Sequence, residues 1–275
     1  MVIFSSFEPE EIDLNRAKAV GLLHLREFLM GAKRGMRAVT DEHVVSMAKD
    51  LHRENVRAAL EARGARVVGQ ATRSESVDTV PADFCEPGAP QELWQTALAR
   101  AGGSIDVLVN NAGLFDPSPL DRSDIAWLDA WEDTLRINLT AAAQLSRFAV
   151  RHWQERGVAG RIVHVASRAG HRGDSPAHWH YAAAKGGMLA MHKTIARQYA
   201  KDGILSFAIT PGFTDTSMAG DYLESRGGPG LLADIPLGRV AEPEEIARLV
   251  EFCALDAPAS MTGATLDANG ASYVR

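Results

Sequence analysis

The sequence predicts an α/β fold: a doubly wound parallel sheet with helices on both faces, preceded by an atypical, partly helical N-terminal segment. Two observations carry this. From about residue 56 onward, short apolar runs alternate with longer stretches of helical period, the signature of strands buried on both faces and of the helices that cover them. No internal repeat or low-complexity linker interrupts that alternation, so residues 56–275 read as one domain around one sheet, with 1–55 set apart as the atypical segment.

In chain order, the predicted strands are Arg66–Gly69, Ile105–Asn110, Arg161–Ala166, Leu205–Ile209 and a short last one at Ala264–Ala268. The intervening helices are Gln91–Ala101, Asp124–Gln154, Tyr181–Asp202 and Pro243–Leu255; the second is long enough that a break within it is expected. Near the start, residues 8–32 read as an amphipathic helix with Ile12, Leu14, Ala17, Leu22, Leu25 and Leu29 among its apolar positions. A second, glycine-free helical stretch runs from Asp41 to Ala62. Parallel sheets of this kind bind ligands at the carboxyl ends of their strands, so the residues just past each strand are the candidates for function.

Composition excludes several classes. With 46% hydrophobic and 23% charged residues the chain is that of an ordinary globular protein, and a net charge of −6 argues against a nucleic-acid partner. Cys85 and Cys253 are too few and too far apart for a disulfide framework or a zinc site. The acidic start MVIFSSFEPEE does not read as a signal peptide, and charges break every apolar run well short of a membrane span. A cytoplasmic protein without a membrane partner is expected.

The strand at Ile105–Asn110 runs into Asn110-Asn111-Ala112-Gly113. Small residues there admit a flat group to the backbone, and the Asn side chains can tie neighbouring strands; taken alone, the stretch reads as an ordinary turn. The strand RIVHVA ends at Ser167, and Tyr181 and Lys185 follow four residues apart, on one face of a helix. A phenol titrates near ~10, and a neighbouring ammonium favours its ionised form, which would bring it toward working pH as a general acid or base. Ser167 can hydrogen-bond a carbonyl or hydroxyl oxygen and stabilise charge developing on it. Alone, a Tyr-x-x-x-Lys pair is a chance pair with a solvated Lys.

Co-occurrence in order changes that. DVLVNNAG, RINLT, RIVHVASRAG, YAAAK and ITPGFTDT follow one another through residues 56–275, and this part of the chain resembles the short-chain dehydrogenase/reductase family. It looks closest to the 3-oxoacyl-acyl-carrier-protein reductases, through VVGQATRSES, IPLGRVAEPEEIA and MTGATLDANGASYV. The resemblance implies a Rossmann-like sheet and an oxidoreductase that interconverts a carbonyl and a secondary alcohol by hydride transfer. It implies that Tyr181 is the general acid/base and that Lys185 lowers its pKa and bonds the nicotinamide ribose. Ser167 would orient the reacting oxygen, and Asn138 would hold a water of the proton relay. Asn110, Ala112 and Gly113 would line the adenosine side, Asp83 and Phe84 would sit against adenine, and Pro211, Gly212, Thr214 and Thr216 would embrace the nicotinamide. No acidic residue directly follows VVGQ, whereas Thr72, Arg73 and Ser74 can receive a 2′-phosphate, so NADP is preferred over NAD. A homo-oligomer, dimer or tetramer, is implied as well.

One part of the pattern is missing. The family expects a strand and a glycine-rich turn before Arg66, where the backbone closes on the pyrophosphate at a helix N-terminus. The nearest remnant, Gly35–Thr40, is followed by Asp41-Glu42-His43-Val44 instead of glycines. Read as a helix start, Asp41 and Glu42 occupy the anion site and repel phosphate. Three explanations stay open: a rebuilt N-terminal segment, weak or lost cofactor binding, or a disrupted reading frame. A catalytically silent scaffold is therefore the alternative to an enzyme. A cofactor-independent dehalogenase-like lyase is a further one, against which Lys185 argues.

His178-Trp179-His180 invites a metal, but without an acidic or Cys partner it reads better as a loop lining the substrate pocket. Trp127, Trp131 and Leu135 form a stripe suited to core or subunit interface. Residues Phe213–Leu237, with Met218, Tyr222, Leu231 and Leu232, read as a substrate lid; its apolar content suggests a modest, largely uncharged substrate, and it holds no basic cluster to recognise an acyl-carrier protein or a phosphate, which leaves the identity of the substrate open.

Overall fold

A computed structural model of the chain describes residues 2–6, 41–47, 51–73, 76, 78–215 and 228–275. The proposed helix over residues 8–32 and the Gly35–Thr40 remnant lie outside the described residues. The described strands are β1 (Val2–Ser6), β2 (Asp41–Met47), β3 (Ala65–Ala71), β4 (Thr79–Pro81), β5 (Val107–Asn110), β6 (Gly160–Val165), β7 (Ile204–Pro211) and β8 (Thr265–Ala268). They form one sheet in the order β4-β3-β1-β2-β5-β6-β7-β8. All run parallel except β1, which pairs antiparallel with both β2 and β3.

The helices are α1 (Leu51–Ala62), α2 (Ala89–Arg100), α3 (Asp124–Leu135), α4 (Ala141–Arg156), α5 (Ala169–Arg172), α6 (Trp179–Tyr199), α7 (Gly228–Ala233) and α8 (Pro243–Glu251). The expected break in the long second helix is a π-helical turn, Arg136–Thr140, between α3 and α4. At its start α3 is capped by Ser123, whose side chain accepts from Ala126 N, and α4 ends at Gly157 in the left-handed conformation.

The glycine-free stretch Asp41–Ala62 is not one helix. Residues Asp41–Met47 are a strand and only Leu51–Ala62 is helical. Val44 and Val45 pair in register with Val107 and Leu108 of β5, and β-branched residues favour strand over helix. The consequence for charge is large. Asp41 and Glu42 begin β2, opposite Ser6 and Ser5 of β1, about 20 Å by strand rise from Met47 at the carboxyl edge. They do not occupy the anion site at a helix start; the residues that join β2 to α1 are Ala48, Lys49 and Asp50.

Strand alternation divides the core between the two faces. Val68, Leu108 and Ile162 pack with Leu93, Trp94, Leu145, Trp153 and Ile195 from α2, α4 and α6. Their neighbours Val67, Val107, Val109, Val163 and Val165 pack with Val56, Leu60, Ile246 and Val250 from α1 and α8. Each fully buried aliphatic side chain contributes about 1.5–3 kcal/mol relative to exposure. This two-sided burial is why the strands are nearly continuous apolar runs. In register, Met47, Asn110 and His164 stand side by side, and Val165 pairs with Ile209. The carboxyl ends of β2, β5, β6 and β7 therefore share one edge.

Candidate active site

Two loops from that edge, after β5 and β6, meet the N-terminal half of α6. Ser167 lies two residues past β6; its Oγ accepts from Ala169 N at 3.1 Å and hydrogen-bonds the Tyr181 hydroxyl. Lys185, one turn along α6, is buried and donates from Nζ to the Val165 carbonyl at 2.8 Å. That Nζ stands 5.7 Å from the centre of the Tyr181 ring. The i, i+4 spacing read from the sequence thus does put both groups over one space.

What holds α5 and α6 together is a glycine. A Cβ at Gly170 would lie 2.8 Å from the Lys185 carbonyl carbon and 2.9 Å from Gly186 N. The backbones of the Ser167 and Lys185 segments approach to a distance that only glycine permits.

The electrostatics differ from the expectation that Lys185 lowers the tyrosine pKa. Desolvation pushes Tyr181 up to about 12, a rise that the Ser167 hydrogen bond moderates and the Asp174 carboxylate reinforces. Burial pushes Lys185 down to about 8. With its ammonium anchored on the Val165 carbonyl, the lysine charge does not outweigh the water that the phenol has lost. Tyr181 is accordingly a neutral hydroxyl, poised to donate a proton.

Asn138 is fully buried on the π-helical turn. Its Oδ1 accepts from Leu114 N at 2.6 Å and its Nδ2 donates to Leu114 O at 2.9 Å. The side chain clamps the loop after β5, and a Cβ on neighbouring Gly113 would stand 3.7 Å from Lys185 Nζ and 3.8 Å from Asn138 Oδ1. Asn110 does tie neighbouring elements together: its Nδ2 donates to Ser146 Oγ at 3.0 Å and approaches His164 Nδ1 at 3.3 Å. Asn110 Oδ1 and Asn111 Nδ2 are buried without partners.

Toward β3 and β4, a cavity of about 380 Å³ is lined by Thr72, Pro81, Ala82, Asp83, Glu86, Gly88, Ala89 and Glu92. Arg73 is exposed beside it. Phe84 does not line this cavity; it is buried in the core with Leu93 and Trp94. Ala112 is partly buried against the same core. On the other side, Pro211 ends β7, Gly212 N donates to Ala268 O at 3.0 Å, and buried Thr214 bridges to Ala241. Thr216 and the lid residues Met218 and Tyr222 lie outside the described residues.

Sequence reasoning missed the packing that holds Tyr181. Phe115, from the loop after β5, stacks on His178 with ring centres 4.0 Å apart and meets the Tyr181 ring edge-on at 4.7 Å. Ser118 N donates to Ala177 O at 2.8 Å, and the His180 ring bonds the Asp116 backbone. The His-Trp-His motif thus fastens two loops together. Arg168 was also passed over, although its place directly after Ser167 could have marked it.

The cavity near β3, unmet polar atoms on Asn110 and Asn111, and a Ser-Tyr-Lys cluster near β6 lie along one sheet edge. Ligands of doubly wound sheets bind at this edge, outside the carboxyl ends of the strands. Residues 45–270 match the family model described as "Enoyl-(Acyl carrier protein) reductase". The chain belongs to the short-chain dehydrogenase/reductase family. It is thereby an NAD(P)-dependent oxidoreductase by family, and the resemblance seen in the ordered motifs holds. The 3-oxoacyl-[acyl-carrier-protein] reductase of Haemophilus influenzae is 32% identical to this short-chain dehydrogenase/reductase over 225 residues, 78% of this chain and 90% of the relative. Cis-4-hydroxycyclohexanecarboxylate dehydrogenase of Sinomonas cyclohexanicum is 36% identical over 200 residues, 70% of this chain and 74% of that one. Among solved structures, one assigned as a 2-deoxy-d-gluconate 3-dehydrogenase from Agrobacterium tumefaciens, with bound NADP, superimposes with a TM-score of 0.73 at 26% identity. The match covers 85% of this chain and 98% of that one. Among the described residues no helix is long and apolar enough to cross a membrane.

Proposed function

We propose that the protein is an NADP-preferring reductase or dehydrogenase that interconverts a carbonyl and a secondary alcohol through Ser167, Tyr181 and Lys185. The observation that carries this reading is the Tyr181 hydroxyl, hydrogen-bonded to Ser167, with the Lys185 ammonium one helical turn away. A nicotinamide bound at this edge supplies or accepts the hydride. Ser167 holds the reacting oxygen; Tyr181, neutral at rest because its pKa is raised, gives that oxygen its proton during reduction and becomes a phenolate, and in the oxidation direction the phenolate form takes the proton from the alcohol. Lys185 offers its ammonium to the ribose hydroxyls beside Gly113, and Asn138 keeps the loop carrying Gly113 and Leu114 in place.

Thr72 and Arg73 favour a 2′-phosphate, whereas Asp83, Glu86 and Glu92 in the same cavity repel it. The phosphate would therefore sit on the Arg73 side, and Asp83 would face the adenine. A solved relative with bound NADP supports that preference; NAD is the weaker ligand in this reading. The atypical segment 1–55 supplies the first strand–turn–helix unit, with β2 and the start of α1 in that place. Its connecting residues include a lysine and no glycine. Exposed Ile125, Leu128 and Trp179 surround the stacked Trp127 and Trp131, an apolar surface suited to a subunit contact in a homodimer or homotetramer.

The test is direct. Calorimetric titration should give micromolar binding of NADPH and weaker binding of NADH. Tyr181→Phe should retain that binding and the melting temperature while losing about 10²–10⁴-fold in turnover, the usual share of a general acid. Unchanged turnover in Tyr181→Phe refutes the mechanism. Absence of any nucleotide binding favours the silent-scaffold alternative, to which the glycine-free turn points.

A further inference from the structure

Arg168 directly follows Ser167, yet the mechanism above does not use it. It is only 9% exposed, and its Nη1 is buried without a hydrogen-bond partner. The guanidinium lies over the Phe213 ring, 4.9 Å from its centre. Phe213 itself follows the Pro211-Gly212 end of β7, so the cation sits between the carboxyl ends of β6 and β7, where ligands of such sheets bind.

The nearest opposing charge among the described residues is Asp234, whose Oδ2 is 4.0 Å from Arg168 Nη1, too far for a hydrogen bond. That carboxylate is more than half exposed and is held instead by Arg172, at 3.1 Å. Two arginines thus share one carboxylate, and the buried one is left short. Asp174 is the other acid near Arg168, and its own oxygen accepts from Ser175 N. Burial and the neighbouring Arg172 depress the Arg168 pKa, which shows how little the surroundings compensate its charge. A desolvated guanidinium with an unmet N–H is costly unless an anion completes it.

We infer that Arg168 is a substrate-recognition residue and that the substrate carries a carboxylate, which Arg168 binds while Ser167 and Tyr181 hold the carbonyl or hydroxyl oxygen. Asp234 occupies part of this anion site and competes with the ligand. The substrate is then an oxo- or hydroxy-acid, in place of the uncharged compound that the lid sequence suggests. The cation lies outside the lid sequence, residues 213–237, because both arginines come from the segment that follows β6. The inference rests on the oxidoreductase reading for the position of the reacting oxygen, but its recognition step can be measured apart from turnover.

The experiment is calorimetric titration of cyclohexanecarboxylate, with cyclohexanecarboxamide as the neutral probe of the same shape, into wild type, Arg168→Gln and Asp234→Asn. Wild type should bind the acid about tenfold or more tightly than the amide, the usual range for a charge-assisted hydrogen bond. Arg168→Gln should abolish that preference. Asp234→Asn, at an exposed position, should increase it, and it decides the matter where Arg168→Gln does not fold. A preference absent in wild type, or unchanged in the folded variants, overturns the inference. A parallel NADPH titration reports on the oxidoreductase reading separately, so the failure of one is not mistaken for failure of the other.

Discussion

At the scale of single residues, the site is governed by what burial does to ionisable groups. Tyr181 and Lys185 are both pushed toward their neutral forms, to about 12 and about 8. For reduction the first shift is useful, because the acid must hold its proton until the substrate oxygen takes it. The second shift sets a limit. Below pH 8 the amine is an ammonium able to bind ribose hydroxyls; as pH rises through about 8 it loses its proton and that charge. Reductase turnover should therefore fall on the alkaline side of about pH 8. A pH–rate profile of wild type showing a flat rate from pH 7 to 10 would contradict the assignment. The sequence spacing correctly paired these residues but had the tyrosine shift reversed, since spacing carries no information about lost solvent.

At the scale of elements, the active-site geometry depends on how closely α5 approaches α6. Gly170 lies against the backbone of Lys185 and Gly186, where an added methyl would come within 3 Å of three backbone atoms. Gly170→Ala must separate the two helices by several tenths of an ångström, moving Ser167 away from Tyr181. The expected result is a loss of about 1–3 kcal/mol in stability, as for overpacking elsewhere, together with a disproportionate loss in kcat. Thermal melts and steady-state kinetics on the same preparation would check it. A variant with reduced stability and full kcat would show that the contact is merely structural. Boundaries such as the π-helical turn at Arg136–Thr140 follow the same logic, since that turn carries Asn138 to the loop it clamps.

At the scale of the whole molecule, the sheet buries two histidines that take no part in the proposed chemistry. His164 in β6 and His192 in α6 are both fully buried, with ring centres 5.8 Å apart. His164 takes a hydrogen bond from Asn110, and His192 pairs with Ser206 at 2.8 Å. Desolvation holds them down to about 3 and about 4, whereas in the unfolded chain they titrate near ~6.5. The unfolded state therefore binds more protons at mildly acidic pH. The stability these groups contribute is intact above about pH 6.5 and is lost as pH falls toward 4, by several kcal/mol in total. Urea unfolding between pH 7 and 4.5 should show this decline, and His192→Gln should make it shallower. An identical pH dependence in that variant would assign acid sensitivity to other groups.

Periodicity and motif order were enough to establish a doubly wound sheet, its family, and the pairing of Tyr181 with Lys185, because those depend on neighbours in sequence and on spacings of two and four residues. Asp41–Met47 was misread as helix because its strand character comes from β5, sixty residues away in the chain. The family resemblance sets both Asp83 and Phe84 against adenine, whereas Asp83 lines the cavity near β3 and Phe84 is buried in the core with Leu93 and Trp94. The stacking of Phe115 on His178, the unmet guanidinium of Arg168 and the sign of the tyrosine pKa shift had no counterpart in any sequence pattern. Each arises from which loops meet at the carboxyl edge and how much water they exclude, and only the packed tertiary structure decides that.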